Sequence, residues 1–509
     1  MGKNILLVSP KIFQFHGLNY TQDITQKYYL PPLAMLTVAG LIPRHHALRL
    51  VDENVTVLSE ADIDWADVVL MTGLTPNEPF IKEAANRCRE RGKHVVLGGC
   101  HASLYFDEID YVDTIVIGEA ELVMDELMED IELNSLKPRY EADGFNDLVE
   151  NPPPLPRYDL INFDDYLQQN IQFSKGCVFS CDFCDVAAIS GVKQRTKSID
   201  RFIEELDYLY SLGYRGILNI TDENLITAVG VRRMFERVRD WQRARDYPFD
   251  LHAYGISINL AFNDNLVRLA REAGLRHIFI GLETPVKESL LESMKLHNAK
   301  RDMLESIHKL QRAGFIVVGG FMIGFDSDPP DVADLLIEFI AEAGLPMITL
   351  NYLHILKGSP LYERMKREGR YVESADYFSD QDGYWNGFGG QSALNFKPKM
   401  GPKVLLENYA KVATTLYDER TYFERCESFL SRYEPSQDSY REQRYGEYAV
   451  AFLRFLKLVM FTRYGVELLK FLARMSRKYP GKMVEAFALG VGGYSLIIER
   501  DELKRVFKR

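Results

Sequence analysis

Residues 173–188 read FSKGCVFSCDFCDVAA, and three of the chain's six cysteines fall inside this stretch. Cys177, Cys181 and Cys184 are spaced Cys-x3-Cys-x2-Cys. Three thiolates are one short of a closed structural zinc site, which takes four ligands, usually from two paired hooks. No second Cys-x2-Cys or His-x3-His lies nearby, and His252 and His277 stand single and distant in sequence. Clustered thiolates suit iron–sulfur chemistry instead. Three cysteines can hold three irons of a [4Fe–4S] cluster and leave the fourth open, which is the logic of a catalytic metal site.

Upstream of this stretch, NILLVSP, ALRLVDEN, DVVLMTGLT, HVVLGGCHAS and DTIVIGEAE each read as a buried strand ending in polar or turn residues. Helical patterns lie between them, such as PFIKEAANRCRERG, which stops at Gly92. Buried strands alternating with helices predict a doubly wound parallel sheet over residues 1–150, with ligands at the carboxyl ends of its strands. No Gly-x-Gly-x-x-Gly follows the first strand, which disfavours a dinucleotide. The glycines at those ends, Gly73, Gly98, Gly99 and Gly118, together with Glu119, are the candidate ligand contacts, since glycine lets a bulky group approach the backbone. The prolines Pro152, Pro153, Pro154 and Pro156 predict a stiff extended linker over 151–165.

Downstream, strand–helix units resume. GILNITDENL, FDLHAYGISINLA, HIFIGLETP, FIVVGGFMIGFD and MITLNYLHILKGSP read as strands, which predicts a full or partial (β/α) barrel over 166–370. Residues 371–509 read as a mainly helical domain, entered through the glycine- and aromatic-rich YFSDQDGYWNGFGGQ, either a loop over the barrel mouth or a packed connector. Between Ala451 and Lys482 there are eight Lys/Arg against one acid, Glu467, with Phe452, Phe455, Leu456, Val459 and Met460 at helical spacing. That pattern suits a helix resting on an anionic membrane, or core on one side and solvated charge on the other.

Composition sets outer bounds. The 509 residues allow roughly three domains, and 46% hydrophobic with 26% charged is ordinary globular material. A net charge of −12 argues against nucleic-acid binding through a global basic surface. MGKNILLVSPKIF reads as a first strand rather than a signal peptide, and the longest apolar runs fall short of the ~18 residues of a membrane span. Sparse cysteines suit a reducing cytoplasm, with Cys88, Cys100 and Cys426 read as packed residues.

The cysteine spacing, with Phe183 between the last two, resembles the signature of the radical SAM superfamily. The resemblance implies that Cys177, Cys181 and Cys184 ligate a [4Fe–4S] cluster whose open iron chelates S-adenosylmethionine (SAM). It further implies reductive cleavage to a 5′-deoxyadenosyl radical that abstracts hydrogen from carbon. Asp222, Glu223 and Asn224 stand where the family contacts the SAM amino group. Tyr254, Ser257 and Asn259 stand at ribose or carboxylate contacts, and Glu283 ends the next SAM-contacting strand. The N-terminal sheet resembles a cobalamin-binding domain, with YYLPPLAMLTVAGLIP, VVLGGCHAS and IVIGEAE as the matching stretches. Asp-x-His-x-x-Gly is absent, so the resemblance implies cobalamin without a histidine ligand, clasped between strand ends and barrel mouth, and His101 lining its nucleotide side. Lys193, Arg195 and Lys197 are read either as balancing SAM or cluster charge or as a solvated run.

With the helical tail included, the layout resembles the cobalamin-dependent radical SAM group carrying a C-terminal domain of unknown function, which includes the hopanoid C-2 methylases. The resemblance implies methylation of an unactivated sp3 carbon of a small-molecule or lipid substrate, with a flavodoxin or ferredoxin as reductant and a cytoplasmic location, peripheral to the membrane if the basic tail binds it. A rearrangement or cyclisation with the same cofactors is the first alternative, and a non-catalytic iron–sulfur redox protein the second. Two departures from relatives bear on the SAM contacts and the substrate, Thr221-Asp222-Glu223-Asn224 and Lys357-Gly358-Ser359-Pro360.

Overall fold

The computed structural model describes residues 2–12, 25, 27–372, 394–435 and 454–506; the stretch 377–391 lies outside them. The chain divides into two compact units. The first comprises Met1–Phe13, Lys27–Cys177 and Asp185–Arg215, and the second Gln14–Gln26, Val178–Cys184 and Gly216–Arg509.

In the first unit six strands form one sheet: β1 (Asn4–Ser9), β2 (Ala47–Asp52), β3 (Val68–Thr72), β4 (His94–Gly98), β5 (Thr114–Ile117) and β6 (Arg139–Glu141). Their order is β2-β1-β3-β4-β5-β6, and every pair is parallel. The run NILLVS explains why. Ile5 and Leu7 join one core with Met35, Ala39 and Leu127, whereas Leu6 and Val8 join another with Ile63, Ala84 and Cys88. A strand buried on both faces reads as a continuous apolar run, and helices must cover each face. Helix Glu78–Glu90 covers one; Leu33–Leu41 and Met124–Leu133 cover the other. The sixth strand has three residues, too short to leave a period in the sequence.

The proline segment is docked rather than free. A side chain on Gly40 would meet Pro154 Cγ at 2.9 Å, Arg157 N donates to Leu36 O, and the buried Tyr158 hydroxyl donates to Asn170 O at 2.6 Å. Pre-set proline dihedrals lower the entropy lost on ordering, which favours docking.

The second unit holds β7 (Gly216–Ile220), β8 (Phe249–Ile256), β9 (Leu275–Glu283), β10 (Ile316–Ile323) and β11 (Ile348–Tyr352). Their sheet order is sequential and parallel, the arrangement of a partial barrel, with helices Val231–Arg243, Asp264–Glu272, Met303–Arg312 and Val332–Ala343 as the connections. Helix Pro360–Arg367 follows, and then Pro402–Leu416, Glu419–Arg432, Arg463–Lys478 and Met483–Val506.

Among the described residues, Pro480–Ile498 is long and apolar enough to cross a membrane by length and composition alone. The helix Met483–Val506 that contains most of it is packed along one side. Tyr422 and Tyr464 donate to the carbonyls of Leu489 and Gly490, and Arg500 pairs with Glu419 at 2.8 Å. A side chain on Gly493 would strike the Tyr422 ring at 2.2 Å.

Candidate active site

The cysteine stretch falls in both units: Cys177 ends a segment of the first, and Cys181 and Cys184 belong to the second. In the first unit, Cys177 N donates to Gly191 O at 3.3 Å. A side chain on Gly176 would come within 2.8 Å of the Ser190 and Lys193 carbonyls, so glycine is what allows the chain to pass there.

In the second unit the loop is held from behind. Asp182 N donates to Ser293 O, Leu361 N donates to Asp182 O at 2.7 Å, and Cys184 N donates to Cys181 O. The Asp182 carboxylate pairs with Arg364 at 3.2 Å, and Arg364 also reaches Glu292 and Asp326. Burial, with Glu292 and Asp326 nearby, pushes the Asp182 carboxyl up to about 6 even though Arg364 opposes the shift. The Lys357-Gly358-Ser359-Pro360 departure has a clear local use. Ser359 caps the helix by accepting from Tyr362 N, and Pro360 takes its first position. Phe183 packs on Phe325, ring centroids 6.1 Å apart.

Lys295 is the residue that the sequence did not flag. Its ammonium donates to Glu283 at 2.7 Å and lies over the Phe183 ring at 5.8 Å. Burial disfavours its charge, yet Glu283 and the Cys181 and Cys184 sulfurs outweigh that, and its pKa stands above the ordinary lysine range. Glu283 sits at φ 63°, a left-handed conformation that costs a non-glycine residue of order 1 kcal/mol and clusters at functional sites. The strand β9 thus ends in a carboxylate–ammonium pair beside two of the three cysteines.

The other candidates surround the same carboxyl ends. Asp222 and Asn224, after β7, are buried, and Glu223 is half-buried. A side chain on Gly255 in β8 would lie 1.9 Å from Asp222 O, so only glycine lets that loop cross β8. Ser257, after β8, is buried, and its Oγ has no hydrogen-bond partner among the described residues. Tyr254 and Asn259 are half-buried. An orphaned buried hydroxyl at these strand ends fits a polar ligand such as SAM, and two thiols near the Lys295 cation fit an anionic cluster.

In the first unit, Gly73, Gly99 and Gly118 serve the fold itself, because side chains there would collide with Ile81, Thr72 and Ala142; Gly98 meets Val116 at ordinary distance. Glu119 accepts both guanidinium nitrogens of Arg195 at 2.8 and 2.9 Å, takes Asn146 N, and lies 3.8 Å from Lys175. Arg195 therefore serves Glu119, Lys197 pairs with the buried Glu205, and Lys193 is exposed. His101 is 1% exposed, gives Nε2 to the Tyr111 hydroxyl at 2.9 Å, and burial holds it neutral with a pKa of about 4. Around the carboxyl edge, Ile12, Leu74 and Leu122 follow β1, β3 and β5 with their side chains exposed. Such an apolar edge fits the flat face of a corrin.

Residues 171–355 match the Radical SAM superfamily, and residues 359–507 match a domain of unknown function, DUF4070. The uncharacterized methyltransferase sll1242 of Synechocystis sp. is 32% identical over 409 residues, 79% of this chain and 73% of that protein. Hopanoid C-2 methylase of Rhodopseudomonas palustris is 30% identical over 396 residues, 75% of this chain and 73% of that protein. Among solved structures, the cobalamin-dependent S-adenosylmethionine radical enzyme OxsB shares the fold, with a TM-score of 0.61 at 13% identity over 100% of this chain and 80% of its own.

Proposed function

The chain belongs to the radical SAM family that carries a C-terminal DUF4070 domain and includes hopanoid C-2 methylase, and on that premise we propose a cobalamin-dependent methyltransferase acting on an unactivated sp3 carbon. The observation that carries the reading is the Lys295–Glu283 pair set against Cys181 and Cys184 at the end of β9. When bound, the cluster with SAM supplies a hydrogen-abstracting radical, and cobalamin supplies the methyl group.

The chain's own residues have narrower tasks. Cys177, Cys181 and Cys184 hold the cluster. Lys295 balances its charge, and Asp182, anchored by Arg364, keeps the loop in place. Asp222, Glu223, Asn224 and Ser257 offer acceptors to the SAM ammonium and ribose. Phe183 helps keep water from the cluster edge. The edge bearing Gly73, Gly98, Gly99 and Gly118 seats the corrin, with Glu119 fixing the adjoining loop through Arg195. Electrons come from a flavodoxin or ferredoxin.

Anaerobic reconstitution with cobalamin and methyl-deuterated SAM, followed by mass spectrometry of a lipid and metabolite extract, tests this reading. A product heavier by one labelled methyl is expected. An unchanged carbon count points to rearrangement or cyclisation instead, and absence of 5′-deoxyadenosine rejects the enzyme readings altogether.

A lipid substrate is the finer reading, and the C-terminal helices favour it. Phe455, Val459, Leu468 and Phe471 of the basic segment are core, yet Phe461 is 91% and Val484 80% exposed, with Met460 and Leu469 also open. Lys457, Lys470 and Arg477 are exposed in the same segment. Apolar side chains flanked by cations suit an anionic bilayer surface. Full-length protein should sediment with phosphatidylglycerol vesicles and much less with neutral ones. Phe461→Ser should weaken that binding about tenfold, as loss of one buried phenyl implies; equal binding by the variant would sink the membrane reading.

A further inference from the structure

The amino-terminal end of the barrel sheet carries a second cluster of ligand-type side chains. His252 on β8 and His277 on β9 are register partners, with ring centroids 4.0 Å apart. Asp250 lies two residues before His252 on the same strand, so its side chain leaves the same face. One ligand atom from each of the three lies within 4.8 Å of the other two. Asp250 and His252 are buried, at 6% and 7% exposure.

Their hydrogen bonding is incomplete. Asp250 Oδ1, His252 Nε2 and His277 Nδ1 are buried with no hydrogen-bond partner among the described residues. His252 Nε2 is 3.6 Å from Asp250 Oδ2, too long for a hydrogen bond. Three orphaned polar atoms on one such cluster call for a guest, because each alone costs about 1–3 kcal/mol. The cysteine loop does not explain them, for they stand at the opposite end of the strands.

We propose that Asp250, His252 and His277 form a zinc site, with water in the fourth position. Two imidazoles and a carboxylate are an ordinary zinc set, and three protein ligands plus water satisfy its tetrahedral preference. Arg276 donates to Asp250 Oδ2 at 3.4 Å, as an outer partner that orients a ligating carboxylate. The positive charges nearby are Arg276 and Arg271. Glu485 offsets Arg276 in part. A bound ion would tie β8 to β9 at the end of the barrel away from the chemistry.

The test uses chelator-washed, cluster-reconstituted full-length protein, given zinc chloride and then desalted. Metal analysis should find about one zinc per chain, with a raised melting temperature. Asp250→Asn and His277→Gln, both close to isosteric, should lose the zinc and the temperature rise while keeping iron content and cluster absorbance. Retained cluster excludes general collapse as the cause. No zinc uptake by the unsubstituted protein overturns the proposal. So does equal uptake by both variants, which would place the ion elsewhere, for instance at His45, His46 and Glu132 on the first unit.

Discussion

Cys181→Ala should yield a folded protein that takes up little iron–sulfur cluster and forms no 5′-deoxyadenosine above background. The side chain is small and 9% exposed, so its removal costs little packing. The chemical loss is of a different order. With one thiolate gone, two remain for a cluster that needs three, and the adjacent Asp182 is committed to Arg364. The expected fall in product formation is roughly 10^3-fold or more, equivalent to about 4 kcal/mol of lost transition-state stabilisation. Cys88→Ala is the control. Cys88 is also buried, in the first unit's core, and its removal should cost stability while leaving cluster absorbance intact. A Cys181→Ala protein with full absorbance and product would disprove the ligand assignment.

Lys295→Met should have the second largest effect, and it separates electrostatics from shape. Methionine keeps most of the volume but strands the Glu283 carboxylate, which is 9% exposed and pairs with Lys295 at 2.7 Å. Breaking a buried pair by removing one partner costs about 3–5 kcal/mol. Adding Glu283→Gln removes the stranded charge and should recover much of that stability. Neither variant restores the positive charge beside Cys181 and Cys184. A cation there favours the more negative, reduced cluster, so its loss should lower the reduction potential and slow 5′-deoxyadenosine formation by about 10^2-fold. Spectroelectrochemical titration reads this directly. A double variant that regains stability, potential and activity together would reduce Lys295 to a packing role.

The strands were the legible part of the fold. Apolar runs such as NILLVS and IVVGGFMI announce themselves because both faces are buried, and the five barrel strands fall where their runs stand. The cysteine spacing was legible because it is local. Partnerships across distance were not. Nothing in SMKLHNAK marks Lys295, since its meaning comes from Glu283 twelve residues away and from a loop more than a hundred residues upstream. Arg195 and Lys197 looked like a cationic run beside the cysteine loop, yet each answers a carboxylate, Glu119 and Glu205, that sequence order does not bring to mind. His252 and His277 seemed solitary because parallel register, unlike a hairpin, joins residues with a whole helix between them. The prolines showed stiffness but not the surface, around Leu36 and Gly40, that they lie on.

Helix Pro360–Arg367 has an implication for how such proteins can be recombined. It lies just inside the start of the DUF4070 match at residue 359, yet Leu361 and Arg364 grip the loop that carries Cys181 and Cys184. A chimaera cut at residue 359 would import a foreign clamp for the resident loop. The workable seam lies later, after Arg370, whose guanidinium closes the same acidic group at Asp326. Lineages that exchanged the tail while keeping the barrel would be expected to have kept this helix with the barrel, making the first turns of the tail part of the catalytic inheritance.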